Sequence, residues 1–347
     1  MRFLMVFLLL GQSLGFCFEK DSVEGIEYFF ERPKKEGIFP AVIMIHGYQP
    51  EENSLGGQEC LSGPIFTGLV SENIVAVAVS IPGFGGTKGN RDYCGPIAQN
   101  AVITLINHLK TLPYIDKSKI GLIGVSRGAT TAAMVSTRYE GLALQVLISG
   151  KYDFTEAFPI YFQTIQDNYI KESNGNWEDR SAVYYANKIK TPTLILHGAL
   201  DPLGNLSSAQ NLHSALVDNG VFCRFVLFPD LNHFMIRTQE VVSHFFSFLR
   251  EQFYNKTGIG ISLSPTNCYP QISGFLIGYP AEKSAHLQLG DIILGISPNN
   301  DETMISIFNM PGNQVSSLIL GPKGTRIRLK IAHLTGLEEE VIIERAS

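Results

Sequence analysis

The chain has 347 residues, 45% of them hydrophobic and 17% charged, with 33 Gly, 17 Pro and 5 Cys. At about 150 residues per domain this length predicts two domains with proper cores, and the composition excludes disorder, collagen, coiled coil and a disulfide-framework miniprotein. A net charge of −5 excludes an electrostatic footprint for nucleic acid or for an anionic membrane face.

Met1 and Arg2 precede an apolar run over residues 3–10. That run falls short of the about 20 apolar residues a bilayer span needs. With Ser13 and Gly15 as the small residues of a cleavage site, residues 1–15 read as a signal peptide. An exported protein, periplasmic or secreted, is the expectation, with no integral membrane segment after cleavage. Lipid anchoring at Cys17 is disfavoured by Phe16, which stands where a small residue is wanted.

From about residue 23 to 254, short apolar runs alternate with longer amphipathic ones. The runs at 41–45, 74–79, 120–125, 144–148, 193–196 and 223–228 are rich in Val and Ile and end at turn signals, as buried parallel strands do. Between them, 96–112, 129–138, 207–218 and 239–253 have helical texture. This alternation predicts an α/β fold with a doubly wound, mostly parallel sheet over 20–254. Past a boundary near 255–257 the texture turns to short strands and turns with one helix, a small β-rich domain over 257–347. No two cysteines form a C-x-x-C, so a zinc site lacks support. In an oxidising compartment Cys60 and Cys94 can pair, because both lie in loops after neighbouring strands.

Gly124-Val125-Ser126-Arg127-Gly128 is a G-x-S-x-G placed immediately after a strand and before a helix. In that strand–turn–helix a serine is pushed to the top of the sheet, and Ser126 is the expected nucleophile. Of eight histidines, His233 stands in an irregular loop between the last strand and the last helix, where a catalytic base belongs. His46 and His197, each in a His-Gly pair after a strand, read as structural groups that bond the loop backbone. The acid is expected at Asp201, one strand–helix–strand unit before His233, with Asp153 and Asp230 as alternatives. The order Ser126, Asp201, His233 is the nucleophile–acid–base order of this fold. Backbone N–H groups for an oxyanion hole are expected at Arg127 and in the loop after the early strand, there from Tyr48 by its amide or its hydroxyl. No phosphate-binding loop or metal-ligand cluster occurs, so no cofactor is expected.

These landmarks, together with Arg32-Pro33, Phe39-Pro40-Ala41, His46-Gly47, the Pro82-Gly83-Phe84-Gly85-Gly86 loop and His197-Gly198, resemble the catalytic domain of the prolyl oligopeptidase family and its dienelactone hydrolase-like relatives. The resemblance implies an α/β-hydrolase that cleaves peptide or ester bonds through an acyl-enzyme. Two departures stand out: no β-propeller precedes the domain, and Arg127 and Ala129 replace small or glycine residues around the elbow. Phe154, Phe158, Tyr161, Phe162, Tyr169, Trp177, Tyr184 and Tyr185 fill a stretch that either caps the active site with an apolar pocket or is a structural insertion.

The last 90 or so residues resemble a PDZ domain of the kind appended to secreted proteases, through Gly258–Ile261, the Leu289-Gly290-Asp291-Ile292-Ile293 run and the Gly321-Pro322-Lys323-Gly324-Thr325 turn. The resemblance implies a sheet edge that takes polypeptide C-termini, with the amides of Ile259, Gly260 and Ile261 on the terminal carboxylate. The alternative is a module that packs and binds nothing. At the level of the whole chain, an exported serine hydrolase is the leading reading. Its rival is an inert hydrolase-fold scaffold whose PDZ domain binds peptide C-termini.

Overall fold

The computed structural model describes residues 18–156, 163–264, 268–301 and 303–346. The expected signal peptide and Cys17 lie outside the described residues, as do Phe158, Tyr161 and Phe162 of the aromatic stretch. No described helix is long and apolar enough to cross a membrane. The chain falls into two compact units that divide between Thr238 and Gln239.

In the first unit the order is β1 (Glu19–Val23), β2 (Ile26–Glu31), β3 (Phe39–Ile45), α1 (Pro64–Ser71), β4 (Val75–Val79), α2 (Pro96–Leu109), β5 (Ile115–Val125), α3 (Arg127–Ser136), β6 (Leu144–Ile148), α4 (Gln163–Ser173), β7 (Thr193–Gly198), α5 (Leu206–Asp218) and β8 (Cys223–Phe228). They build one eight-stranded sheet in the order β1-β2-β4-β3-β5-β6-β7-β8. β1, β2 and β4 pair antiparallel, and all pairs from β4 to β8 are parallel. The parallel strands are runs of buried Val, Ile, Leu and Ala, because helices cover both faces of such a sheet. β4 lies to one side of β3 and β5 to the other, so the chain reverses its winding there. At such a switch point the loops leaving the carboxyl ends of the strands open a crevice.

That crevice owes its shape to missing side-chain atoms. A Cβ on Gly128 would lie 2.1 Å from the Ile45 carbonyl oxygen, and one on Gly124 would lie 2.1 Å from the Gly128 carbonyl oxygen. Only glycine at both positions lets the start of α3 settle onto the ends of β3 and β5. Beside it, His46 ties down the turn after β3. Its Nδ1–H donates to the Gly47 carbonyl at 2.8 Å, and its Nε2 accepts from the Ile81 amide at 3.4 Å. Its ring packs on Phe84, 4.8 Å between centroids. This is the loop-bonding role expected of it.

The second unit comprises α6 (Gln239–Tyr254), β9 (Ile261–Ser264), β10 (Gln271–Phe275), β11 (Ile292–Ser297), β12 (Ile305–Ser306), α7 (Gly312–Ile319), β13 (Arg326–Ala332) and β14 (Glu338–Glu344). Its antiparallel sheet runs β14-β13-β11-β10-β9, with β12 on β11. The unit boundary precedes the expected one at 255–257, because α6 groups with this sheet. The Tyr279 hydroxyl donates to Ser247 at 2.7 Å, and Glu251 pairs with Lys323 at 3.1 Å. The buried Arg345 caps α7 by donating to the carbonyls of Ile319 and Leu318, and also donates to the Pro298 carbonyl after β11.

His46 gives the first unit a pH dependence. Burial pushes its pKa down to about 4, the charge of Arg91 adds to this, and the bond to Gly47 opposes it. Above pH of about 6.5 the ring is neutral in both folded and unfolded chains. As pH falls from there towards 4, only the unfolded chain takes up the proton, and stability on the order of 3 kcal/mol is lost. Urea unfolding of the full chain should therefore show a steeper stability loss between pH 6.5 and 4 for wild type than for His46→Asn. Parallel curves would contradict this assignment.

Candidate active site

Ser126 sits between β5 and α3 with φ of 55° and ψ of −119°, a left-handed conformation that a serine adopts only under constraint. Its amide donates to the Ile148 carbonyl at 2.8 Å, and its carbonyl accepts from Ala129 and Thr130 in the first turn of α3. Strand on one side and helix on the other thus fix the backbone, and the hydroxyl stands above the sheet.

The loop after β8 brings His233 to that hydroxyl. His233 Nε2 lies 2.9 Å from Ser126 Oγ. Its Nδ1 lies 2.9 Å from each carboxylate oxygen of Asp201, in the turn after β7. A carboxylate accepts only, so Nδ1 carries the proton and Nε2 is left free to accept from the serine. Asp201 Oδ1 also accepts from the amides of Leu203 at 2.8 Å and Gly204 at 2.7 Å. Burial of this carboxylate raises its pKa. The hydrogen bond and charge of His233, with the Gly204 and Leu203 amides, outweigh burial, and the net shift is downward. Asp201 therefore stays ionised at neutral pH although its side chain is fully covered. His197 lies beside it, with Nε2 3.7 Å from Oδ2, and burial lowers the pKa of that imidazole.

The alternative acids lie elsewhere. Asp153 is taken up by Thr155, whose amide and hydroxyl donate to it at 2.9 and 2.6 Å, and by Tyr184. Asp230 is an exposed turn residue with no bond to His233. Two other histidines bond groups away from Ser126. His108 meets the Tyr28 hydroxyl at 3.1 Å, and His333 bonds Asp291 and Glu339 in the second unit.

Ser126 and His233 open into a cavity of about 470 Å³. Tyr48 and Arg127 both line it. Gly47 brings the turn that carries Tyr48 close to Ser126, since a Cβ on Gly47 would lie 3.4 Å from Ser126 Cβ. Among the described residues neither the Tyr48 nor the Arg127 amide has an acceptor. The apolar wall comes from Ile65, Phe154, Ile165, Phe234 and Ile236, with Ile165 supplied by α4. Part of the aromatic stretch thus does border the site. Phe154 and Tyr169 form a buried cluster with Tyr93, while Trp177 and Tyr184, which are not among the lining residues, meet each other at a tilt.

One pairing lies beyond any local sequence pattern. Glu172 on α4 pairs with Arg127 at 3.0 Å, and no short-range pattern marks a partner 45 residues away. Cys60 and Cys94 are free thiols, so the disulfide considered for them is absent. Burial pushes both thiols up to about 12, and Cys94 Sγ–H instead donates to the Arg127 carbonyl at 3.2 Å.

Residues 92–256, which hold Ser126, Asp201 and His233, match the model of the prolyl oligopeptidase family. The uncharacterized peptidase YuxL of Bacillus subtilis is 29% identical over 154 residues, covering 42% of this chain and 23% of that protein. A puromycin-hydrolyzing peptidase of Mycobacterium tuberculosis superposes with a TM-score of 0.57 at 17% identity, over 69% of this chain and 39% of that one. The 2,6-dihydroxy-pseudo-oxynicotine hydrolase superposes with a TM-score of 0.54 at 18% identity, over 68% of each chain. At these identities the solved structures establish the fold. The chain spans about a quarter or less of the curated relatives it matches. Residues 92–256 are thus similar to the prolyl oligopeptidase family, and the first unit has an α/β-hydrolase-like fold in which Ser126, His233 and Asp201 are linked by hydrogen bonds.

Proposed function

We propose that the protein cleaves peptide or carboxylic ester bonds through an acyl-enzyme, with Ser126 as nucleophile, His233 as base and Asp201 as the acid that orients it. The observation that carries this reading is the chain of contacts at 2.9 Å from Ser126 Oγ through His233 to Asp201, at the mouth of an apolar cavity. As Oγ attacks the carbonyl carbon, its proton moves to His233 Nε2, and the imidazolium is stabilised by the ionised Asp201. The carbonyl oxygen takes up the negative charge within reach of the Tyr48 and Arg127 amides. His233 then gives its proton to the leaving amine or alcohol. A water repeats the sequence on the acyl-enzyme and frees Ser126. Ile65, Phe154, Ile165 and Phe234 favour an apolar acyl group or side chain beside the scissile bond.

Asp201→Asn should keep the fold and lower kcat on a p-nitrophenyl ester by about 10³–10⁴, because the imidazole loses its orienting carboxylate and takes the wrong tautomer. Asp153→Asn, altering a group held by Thr155 and Tyr184, should change kcat far less. Reversed effects would move the acid to Asp153.

For the second unit we propose a PDZ-like role, in an exported protein, of receiving polypeptide C-termini. The loop Gly258-Ile259-Gly260-Ile261 lines a cavity of about 700 Å³ together with Leu263 of β9 and Val315 and Ile319 of α7. The Ile259 and Gly260 carbonyls accept from Ala281 and Leu276. Among the described residues the N–H groups of Ile259 and Gly260 have no acceptor, which suits an incoming carboxylate. Amidating the C-terminus of a longer peptide substrate should then raise its KM while kcat holds, as when uniform binding is removed. Equal KM values for free and amidated peptides would remove this role and leave the hydrolase assignment in place.

A further inference from the structure

The side chain directly after the nucleophile is an arginine that does not leave the site. Arg127 Nη1 pairs with Glu172 Oε2 at 3.0 Å, and each of these side chains is 10% exposed. The guanidinium carbon lies 3.7 Å from the centroid of the Tyr93 ring and 4.5 Å from that of Tyr48. Tyr93 is a fixed platform. It is buried, its ring meets Phe154 and Tyr169 edge-on, and Arg180 Nε donates to its carbonyl at 2.9 Å. Tyr48 differs in kind. It is 45% exposed, and among the described residues its ring has no cationic or aromatic contact other than Arg127.

Resting on the hydrolase reading above, we propose that Arg127 is a positioning residue for the oxyanion hole. Its guanidinium, held flat by Tyr93 and Glu172, clamps the Tyr48 ring and so aims the Tyr48 N–H at the oxygen that becomes negative. Three observations support this over two simpler roles. Glu172 already neutralises the cation, which leaves little charge for a substrate anion. A guanidinium between two rings gives stacking and cation–π contact that an ammonium gives only in part. The loop is pinned just beyond, where Gln49 exchanges bonds with Gly56 and Arg91 donates to the Gln49 carbonyl at 2.9 Å, so one further contact at Tyr48 suffices to set its direction. Donors misplaced by fractions of an ångström lose much of their effect on a transition state.

The test uses the full chain, a small p-nitrophenyl ester, and an alkyl trifluoromethyl ketone whose hemiketal oxygen occupies the hole. Arg127→Met keeps most of the side-chain volume and removes the clamp. It should lower kcat by about 10- to 100-fold with KM changed by less than about threefold, and weaken the ketone by the same factor as kcat. Arg127→Lys keeps the charge without the flat stack and should show most of that loss. Combining Arg127→Met with Tyr48→Leu should be no worse than the poorer single variant, because both break one element. Unchanged kcat and ketone affinity in Arg127→Met would overturn the proposal. So would a rise in KM alone, which would make Arg127 a substrate contact, or full activity in Arg127→Lys, which would make charge the cause. A variant that fails to fold leaves the Lys variant and Tyr48→Leu to decide by the same readouts. A wild-type protein that neither hydrolyses the ester nor binds the ketone would overturn the hydrolase reading itself.

Discussion

The architecture of the site depends on one close approach, the meeting of helix α3 with the carboxyl ends of β3 and β5. Backbone atoms fill the space where side chains at Gly124 and Gly128 would begin. Everything at the crevice inherits its place from that packing. Ser126 is held at a φ of 55°, Arg127 at the start of α3 lines the cavity, and the turn after β3 closes on Ser126 at Gly47. Strain of about 1–3 kcal/mol at a residue such as Ser126 persists only because bonds on both sides over-determine it.

Charge at the crevice is handled by pairing within the fold. Asp201 sits fully covered, yet the Leu203 and Gly204 amides and the His233 ring bond it, so it remains an anion. Arg127 is likewise covered and paired with Glu172 of α4. Ile65, Phe154, Ile165, Phe234 and Ile236 make much of the remaining wall apolar. Desolvated surroundings strengthen the few polar groups left facing a substrate, and a loop such as that of Tyr48 then needs only modest help to become an effective donor.

The central sheet was legible because buried parallel strands leave continuous Val and Ile runs, and β6 and β8 fall on the expected residues. β1 and β2 carry no such run. The exposed edge strand Glu19–Val23 is mostly polar, and only its pairing with β2 defines it. β5 begins earlier than its apolar run, since Ile115 pairs with Phe39 of β3 ahead of the polar residues 116–119, where the register shifts. Helix α1, eight residues with an internal Gly68, offers too weak a period. Ser126, Asp201 and His233 stood out because each follows a strand on one sheet edge. Glu172 did not, because a pairing across 45 residues is written in tertiary packing rather than in local pattern. The grouping of α6 with the second sheet escaped notice for the same reason, its contacts being with Tyr279 and Lys323.

The account stands most directly on whether Ser126 is a nucleophile. A fluorophosphonate carrying a reporter group reacts with a serine only when a base and an oxyanion hole activate it. The full-length protein should take up one equivalent, located by peptide mass analysis at Ser126, and Ser126→Ala should take up none. Absence of labelling in the folded wild-type protein would contradict the account and favour an inert scaffold built on the hydrolase fold.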